Sequence, residues 1–281
     1  MSRWKNIAVL AAATASVVAV TGCGPSTASQ EAAQQSSVLE LLASDLQGSL
    51  QKAVDQTGKI ETLRATIVGS GPEDFEMQMA MDLRDPVRYE MVMDEGGVST
   101  AIRLIDSAMY MENSEEEMAN SDGKRWTKMD LSSGFASEAD FDQQLREVDP
   151  VKQVKALLGA EGVTVVGEET VDGVPTVHYT VTATVEEHLA LLEQQNELSA
   201  ADREEAAEQM AESSVTEIKT ELWIDEQYWP RRARLTMGEM GVMTIDYTNY
   251  NEPVNIEVPP AAETMDFDDL LSELEELTGG S

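Results

Sequence analysis

The segment Phe75-Glu-Met-Gln-Met-Ala-Met-Asp-Leu83 decides the fold class, because its hydrophobicity repeats every two residues. Its odd positions are all apolar, and three of its four even positions are polar. Successive side chains of a strand point to opposite faces of a sheet, so this pattern predicts a β-strand with one buried face. The same odd phase returns in Val87-Arg-Tyr-Glu-Met-Val-Met93 after the break at Asp85-Pro86, which indicates a neighbouring strand reached by a hairpin-like turn.

Eight further segments have strand-like composition and are separated by turn signals such as Asp122-Gly123 and Asp172-Gly173. They span residues 98–105, 108–111, 126–129, 163–167, 177–184, 216–224, 232–237 and 242–247. Because most of these strands follow one another directly, they predict a long antiparallel meander rather than alternating strand–helix–strand units.

Four segments have helical rather than strand periodicity. They span residues 38–54, 139–158, 186–213 and 265–281. The first carries one apolar stripe at steps of four, the second is broken at Asp149-Pro150, and the third is split near Ser199, which can cap its second half. The fold class predicted from these elements is α+β, with a strongly curved sheet and helices free to cover it.

The charge of the chain excludes nucleic acid as a ligand. Its 281 residues include 53 Asp plus Glu and 19 Lys plus Arg, which gives a formal net charge of -34. Phosphate repulsion on this scale cannot be offset by so few scattered cations. Apolar residues still make up 42% of the chain, so a packed core is expected in spite of the charge.

The N-terminus has the pattern of an export signal. A short basic region, Ser2 to Asn6, precedes an apolar run from Ile7 to Val20, which as a helix rises only about 21 Å and is too short to cross a bilayer. The run ends in Val20-Thr21-Gly22-Cys23, which resembles the bacterial lipobox. That resemblance implies that residues 1–22 are a lipoprotein signal peptide and that Cys23 receives the lipid. A plain signal peptide with an incidental cysteine is the alternative.

The residues after Cys23 lack the apolar side chains that a core needs. Residues 24–37 contain no Leu, Ile, Val or aromatic residue, so residues 23–37 are predicted to be the lipidated cysteine and a flexible tether. We expect membrane attachment through the lipid on Cys23 alone, because an acidic body is repelled by anionic headgroups. The predicted location is therefore extracytoplasmic, on the outer face of the cell membrane.

Five segments share a pattern of strand ends and turns. They are Lys124 to Asp130, Gly167 to Tyr179, Leu222 to Asp225, Pro230 to Leu235 and Tyr247 to Pro260. This pattern resembles the LppX/LprAFG-type envelope lipoproteins. The resemblance implies a LolA-like fold over residues 38–264, in which a curved antiparallel β half-barrel carries helices on its concave face. It also implies an apolar cavity, which in several members of the family holds acylated lipids.

Twelve apolar strand residues are the candidate lining of such a cavity. They are Phe75, Met77, Met79, Met81, Tyr89, Met91, Met93, Val177, Tyr179, Leu222, Ile224 and Leu235. Methionine side chains are flexible and adapt to irregular acyl chains, which favours a lipid ligand. The alternative for each residue is ordinary core packing, because an apolar face has the same sequence whether helices or a ligand cover it.

Two other kinds of site have weaker support. The spaced methionine pairs, such as Met77/Met79, are of the type that binds Cu(I), but strand alternation alone produces the same spacing. The two histidines, His178 and His188, have no catalytic motif beside them, and the acidic run Glu115 to Glu117 is interpreted as a solvated hairpin tip. We therefore predict no enzyme, no catalytic residue, no cofactor and no metal site.

The predicted function is to bind or carry an acylated lipid, or an acylated lipoprotein, by burial of apolar surface. The alternative is an envelope sensor or scaffold that binds a partner protein. A carrier needs an enclosed apolar cavity, whereas an interaction module needs an exposed apolar patch of a few hundred Å² or more.

Overall fold

The structure is a computed structural model that describes residues 38–72, 74–95, 98–131, 148–195 and 198–267. The predicted signal peptide, Cys23 and the tether lie outside the described residues. Residues 139–147 of the second predicted helix and 268–281 of the predicted tail helix also lie outside them.

Twelve strands among the described residues form one sheet. They are β1 (Thr62–Ser70), β2 (Phe75–Asp82), β3 (Arg88–Glu95), β4 (Val98–Ile105), β5 (Ala108–Glu112), β6 (Trp126–Asp130), β7 (Thr164–Val171), β8 (Val174–Thr184), β9 (Glu217–Asp225), β10 (Pro230–Thr236), β11 (Val242–Thr248) and β12 (Thr264–Asp266). Strands β1 to β6 pair in sequence order, and so do β7 to β11. The two meanders join where β1 pairs with β11, in an antiparallel seam.

Six helices lie in the described part of the chain. They are α1 (38–44), α2 (Leu46–Thr57), α3 (Glu115–Asn120), α4 (Pro150–Gly159), α5 (Val185–Gln194) and α6 (Ala200–Glu212). Single 3-10 turns follow at Gly238–Met240 and Ala261–Glu263. Within the ranges described above, none of these helices has the length and apolar character needed to span a membrane.

The core lies on the concave face of the sheet, beneath the helices. One row of paired residues crosses seven strands, from Tyr179 through Leu222, Ala233, Ile245, Ile67 and Met77 to Met93. Helices α2 and α4 pack on each other, and their residues Leu50 and Leu157 are fully buried in the same core. The Tyr179 hydroxyl donates to the carbonyl oxygen of Leu42 at 2.7 Å and so ties the sheet to α1.

A strap, residues 249–263, crosses the convex face from β11 to the far edge of the sheet. Arg103 donates from Nη1 to the carbonyl oxygen of Glu257 at 3.0 Å, and Lys124 Nζ donates to that of Ala262 at 2.8 Å. Buried Ile256 of the strap packs in a second apolar cluster with Trp126. The strap therefore places β12 beside β6, and these two strands pair in parallel.

The predicted α+β fold, with helices on the concave face of a curved antiparallel sheet, is confirmed. The split of the third helical segment is also confirmed, because the Ser199 hydroxyl accepts a hydrogen bond from the Asp202 amide at the start of α6. Asp149 caps α4 in the same way, with Pro150 at the first helical position.

Three details differ from the predictions. The helix predicted over 38–54 is two helices, because the Asp45 side chain accepts from the Gly48 amide and starts α2 there. The acidic run from Glu115 lies at the exposed tip of the β5–β6 hairpin, as predicted, but it forms the short helix α3 rather than a loop, since Ser114 and Glu117 form a capping box. Strands β1 and β12 were not predicted at all.

Candidate functional site

A two-lobed cavity lies between helices α4, α5 and α6 and the concave face of the sheet. The wide lobe has a volume of about 450 Å³, and the narrow lobe has a volume of about 200 Å³. Ala156, His188 and Thr220 line both lobes, so the two lobes are neighbours that meet at these residues. Ligand sites typically occupy about 300–1,000 Å³, so the wide lobe alone is of that size.

The narrow lobe is mainly apolar. Its apolar wall consists of Leu192, Leu198, Met210, Ile218, Leu235, Met237 and Met243. Leu235 of β10 is paired with Met243 of β11 and with Thr220 of β9, so a single row across the sheet forms its floor. The acidic helices α5 and α6 supply the opposite side, because each turns a few apolar side chains towards the sheet.

The wide lobe has a more polar wall. Glu187 and Gln194 contribute polar groups beside the apolar Val181 and Leu191. The charged side chains that line it, among the described residues, are Glu161 and Glu187. Hydrogen bonds from the backbone and hydroxyl of Thr184 lower the pKa of Glu187, so this carboxylate is ionised at neutral pH.

His188 stands where the lobes meet, one turn into α5. Burial lowers the pKa of its imidazole, so the ring is neutral near pH 7. A neutral imidazole offers one donor and one acceptor. Within the part of the chain that the structure describes, neither ring nitrogen of His188 has a hydrogen-bond partner.

The other histidine lies on the opposite face of the sheet. His178 stacks on Trp223 with ring centroids 4.1 Å apart, and its Nδ1 lies 2.9 Å from Glu169 Oε1. Trp223 Nε1 donates to Glu169 Oε2 at 2.7 Å. The hydrogen bond from Trp223 lowers the pKa of Glu169 most, and the hydrogen bond with His178 lowers it further. This cluster is remote from the cavity and consolidates strands β7 to β9.

The twelve predicted lining residues fall into three groups. Leu235 lines the narrow lobe. Six others are buried in the core under the helices: Met79, Met81, Val177, Tyr179, Leu222 and Ile224. The remaining five lie toward the β2–β4 part of the concave face, where Met77, Tyr89 and Met91 are half-buried and Phe75 and Met93 are 50% and 41% exposed.

Several cavity residues were missing from the predicted lining. His188, Leu192, Leu198 and Met210 lie in the predicted helical segment 186–213, from which no lining residue was predicted. The usable signal was the helical spacing in α5, since residues three and four apart share a helix face. His188 is followed at that spacing by Leu191 and Leu192, which line the wide and the narrow lobe respectively.

Comparison with known proteins supports the fold. No family model matches the chain. An uncharacterized 31.2 kDa protein from the rplA-rplJ intergenic region of Streptomyces griseus is 31% identical over 186 residues, which are 63% of this chain but only 60% of that protein. A Streptomyces coelicolor protein, named as a candidate lipoprotein, is 25% identical over 272 residues, covering 90% of this chain and 85% of its own.

Among solved structures, the crystal structure of the Mycobacterium tuberculosis lipoprotein LppX is similar to this one. The TM-score is 0.51 at 15% sequence identity, and the match covers 75% of this chain and 98% of LppX. At that identity the likeness concerns the fold alone. The chain has the LppX-type half-barrel fold, and the predicted resemblance is confirmed at the level of the fold.

Proposed function

We propose that the protein is a lipid-anchored, extracytoplasmic lipoprotein that binds or carries an acylated lipid without catalysis. The apolar narrow lobe beneath α4, α5 and α6 is the observation that carries this proposal. The lipobox-like Val20 to Cys23 supports anchoring through Cys23, and so does the Streptomyces coelicolor relative that is named as a candidate lipoprotein.

The volume of the narrow lobe fits part of one acyl chain. A dry cavity of about 150 Å³ in another protein accommodates benzene, so by proportion the lobe of about 200 Å³ has room for about eight carbon atoms. Each buried methylene contributes about 0.8 kcal/mol, or about 6 kcal/mol for eight, before the costs of association. The head of the ligand would then lie in the wide lobe.

Anchoring is tested by the substitution Cys23→Ser, which removes the thiol that receives the lipid. We expect the variant to move from the membrane fraction to the soluble fraction after export, because the acidic body has no other membrane affinity. Immunoblots of both fractions measure the effect. A variant that stayed with the membrane would show that attachment does not depend on Cys23.

Lipid binding is tested with alkyl maltosides of six to twelve carbons, below their micellar concentrations, on the full mature chain carrying Cys23→Ser. We expect affinity to rise about fourfold per added methylene up to about eight carbons and then to level off, because the narrow lobe is then full. Calorimetric titration gives the dissociation constants. Native mass spectrometry of protein from its own envelope should in addition show one lipid of defined mass. Absence of binding throughout the series would refute the lipid-binding proposal.

A second function, binding of a partner protein, is favoured by one observation. The hairpin tips β1–β2, β3–β4 and β10–β11 lie at one end of the sheet and expose Phe75, Val98 and Met240. These exposed apolar residues lie at the same end of the half-barrel, and an apolar surface there would suit a partner protein. Failure of the maltoside series, together with loss of partner capture in a Phe75→Ser variant, would establish this function instead of lipid carriage.

A further inference from the structure

His188 lies at the boundary between the apolar narrow lobe and the more polar wide lobe. On its apolar side the narrow lobe is walled by side chains such as Leu192 and Leu235. On its polar side the wide lobe includes Gln194, Glu161 and Glu187. An amphiphile bound across both lobes would therefore place the junction between its chain and its head beside the imidazole.

His188 has hydrogen-bonding capacity to offer at that junction. Its ring is half-buried and makes no hydrogen bond or ion pair with any residue in the described ranges. Its ring nitrogens are therefore available to a ligand that enters the cavity. The groups that stand at the chain–head junction of lipids are ester, amide and ether oxygens, and a neutral imidazole can donate to each of them.

The charge of the wide lobe restricts the head. Glu161 and Glu187 line it, and the whole chain carries a net charge of -34. Lys152 lines the adjoining narrow lobe, where its charge acts on the neighbouring carboxylate of Asp149. An anionic head would face both glutamates, and the described residues that line the wide lobe offer it no Lys or Arg.

We propose that the cavity selects single-chain amphiphiles whose polar head is not anionic, with His188 hydrogen-bonding the oxygen at the chain–head junction. The chain enters the narrow lobe, and the head occupies the wide lobe beside Glu161 and Glu187. This assignment rests on the proposed lipid-binding function. It names His188 as the residue that positions the ligand and the two glutamates as the residues that determine its charge.

Three probes with the same ten-carbon chain test the assignment on the full mature chain carrying Cys23→Ser. They are decyl maltoside, which is uncharged, decyltrimethylammonium, which is cationic, and decanoate, which is anionic at pH 7.5. We expect decanoate to bind at least about tenfold more weakly than decyl maltoside, because two carboxylates repel it. The cationic probe should bind at least as tightly as the maltoside.

Variants separate the two parts of the proposal. His188→Leu should weaken decyl maltoside about three- to tenfold by removing one hydrogen bond, and His188→Gln should restore most of that loss because the amide keeps a donor and an acceptor. The double variant Glu161→Gln, Glu187→Gln should reduce the discrimination against decanoate to within about threefold. Glutamine can still complete the capping box at the start of α5, so the helix is preserved.

The outcomes distinguish this proposal from the function on which it rests. If none of the three probes binds, lipid binding itself is wrong. If all three bind equally, or decanoate binds best, the cavity still binds lipid but the charge selection is overturned. If His188→Leu binds decyl maltoside as tightly as the unsubstituted protein, the role of His188 is overturned.

Discussion

Replacing Asp225 with alanine should lower the free energy of unfolding by about 3 to 5 kcal/mol. This carboxylate is 1% exposed and has three strong partners. Its Oδ1 accepts from the amides of Gln227 at 2.8 Å and Trp229 at 2.9 Å, and its Oδ2 accepts from Arg231 Nε at 2.7 Å. Alanine would leave both amides and a largely buried guanidinium without their acceptor, which costs more than the pair itself contributes.

The turn that Asp225 organises explains why the effect should be global. Tyr228 in this turn is buried, has a positive φ of 66° and lies against α2, where the Thr57 hydroxyl donates to its carbonyl oxygen. Loss of the carboxylate should therefore destabilise the β9–β10 connection and weaken the contact between this turn and helix α2. Chemical denaturation followed by tryptophan fluorescence measures the change.

Two further variants make this prediction specific. Asp225→Asn should cost about half as much, because the amide oxygen still accepts from the backbone while its NH₂ group faces Arg231. Asp246→Ala, which breaks a more exposed pair with Arg232, should cost less than about 1 kcal/mol. Equal losses in Asp225→Ala and Asp246→Ala would show that burial of Asp225 is not what gives the network its strength.

Replacing Ala156 with phenylalanine should weaken decyl maltoside binding by more than about a hundredfold, because the six ring carbons fill a space comparable to a benzene-sized cavity. Ala156 lines both lobes, so its enlarged side chain would block the passage between them. The fold should tolerate the change, since the new side chain enters a space that is already open. Calorimetry measures the dissociation constant for decyl maltoside, and a thermal melt on the same sample measures the melting temperature.

The matched control is Ala211→Phe on the exposed surface of α6, which adds the same ring outside the cavity. Its dissociation constant should equal that of the unsubstituted protein. Undiminished binding in Ala156→Phe, with a normal melting temperature, would place the ligand somewhere other than the cavity under the helices.

The sequence alone was sufficient to locate a strand where that strand has large apolar residues on one face. Strand β2 was located from Phe75 to Leu83 because its inward residues are phenylalanine, methionine and leucine. Strand β1 alternates as well, but its inward positions include Ala65 and Gly69, which are too weakly apolar to stand out. Strand β12 has only three residues, and its pairing depends on the strap that brings it to β6.

The lining of the candidate site was harder to predict from the sequence, because alternation shows which face of a strand is apolar and not what covers that face. Tyr179 and Leu222 share a face with Leu235, yet the first two are buried in the core while Leu235 lines the cavity. The difference is set by where α2, α4, α5 and α6 lie, and no local pattern in the strands encodes those positions. His188 in particular has no motif, and only its place between two lobes identifies it.

The seam between the two meanders sets the order in which the chain can fold. Ser70 at the end of β1 meets Val242 of β11 across 172 residues of sequence. In a chain that emerges N-terminus first, the hairpins β1 to β6 can form early. The outer edge of β1 can pair only after β11, near the end of the chain, has been synthesised. Contacts so distant in sequence close slowly, and an unpaired edge invites aggregation in the interval. The seam, and then the strap that returns to β6, are therefore expected to form late, after β11 has been synthesised.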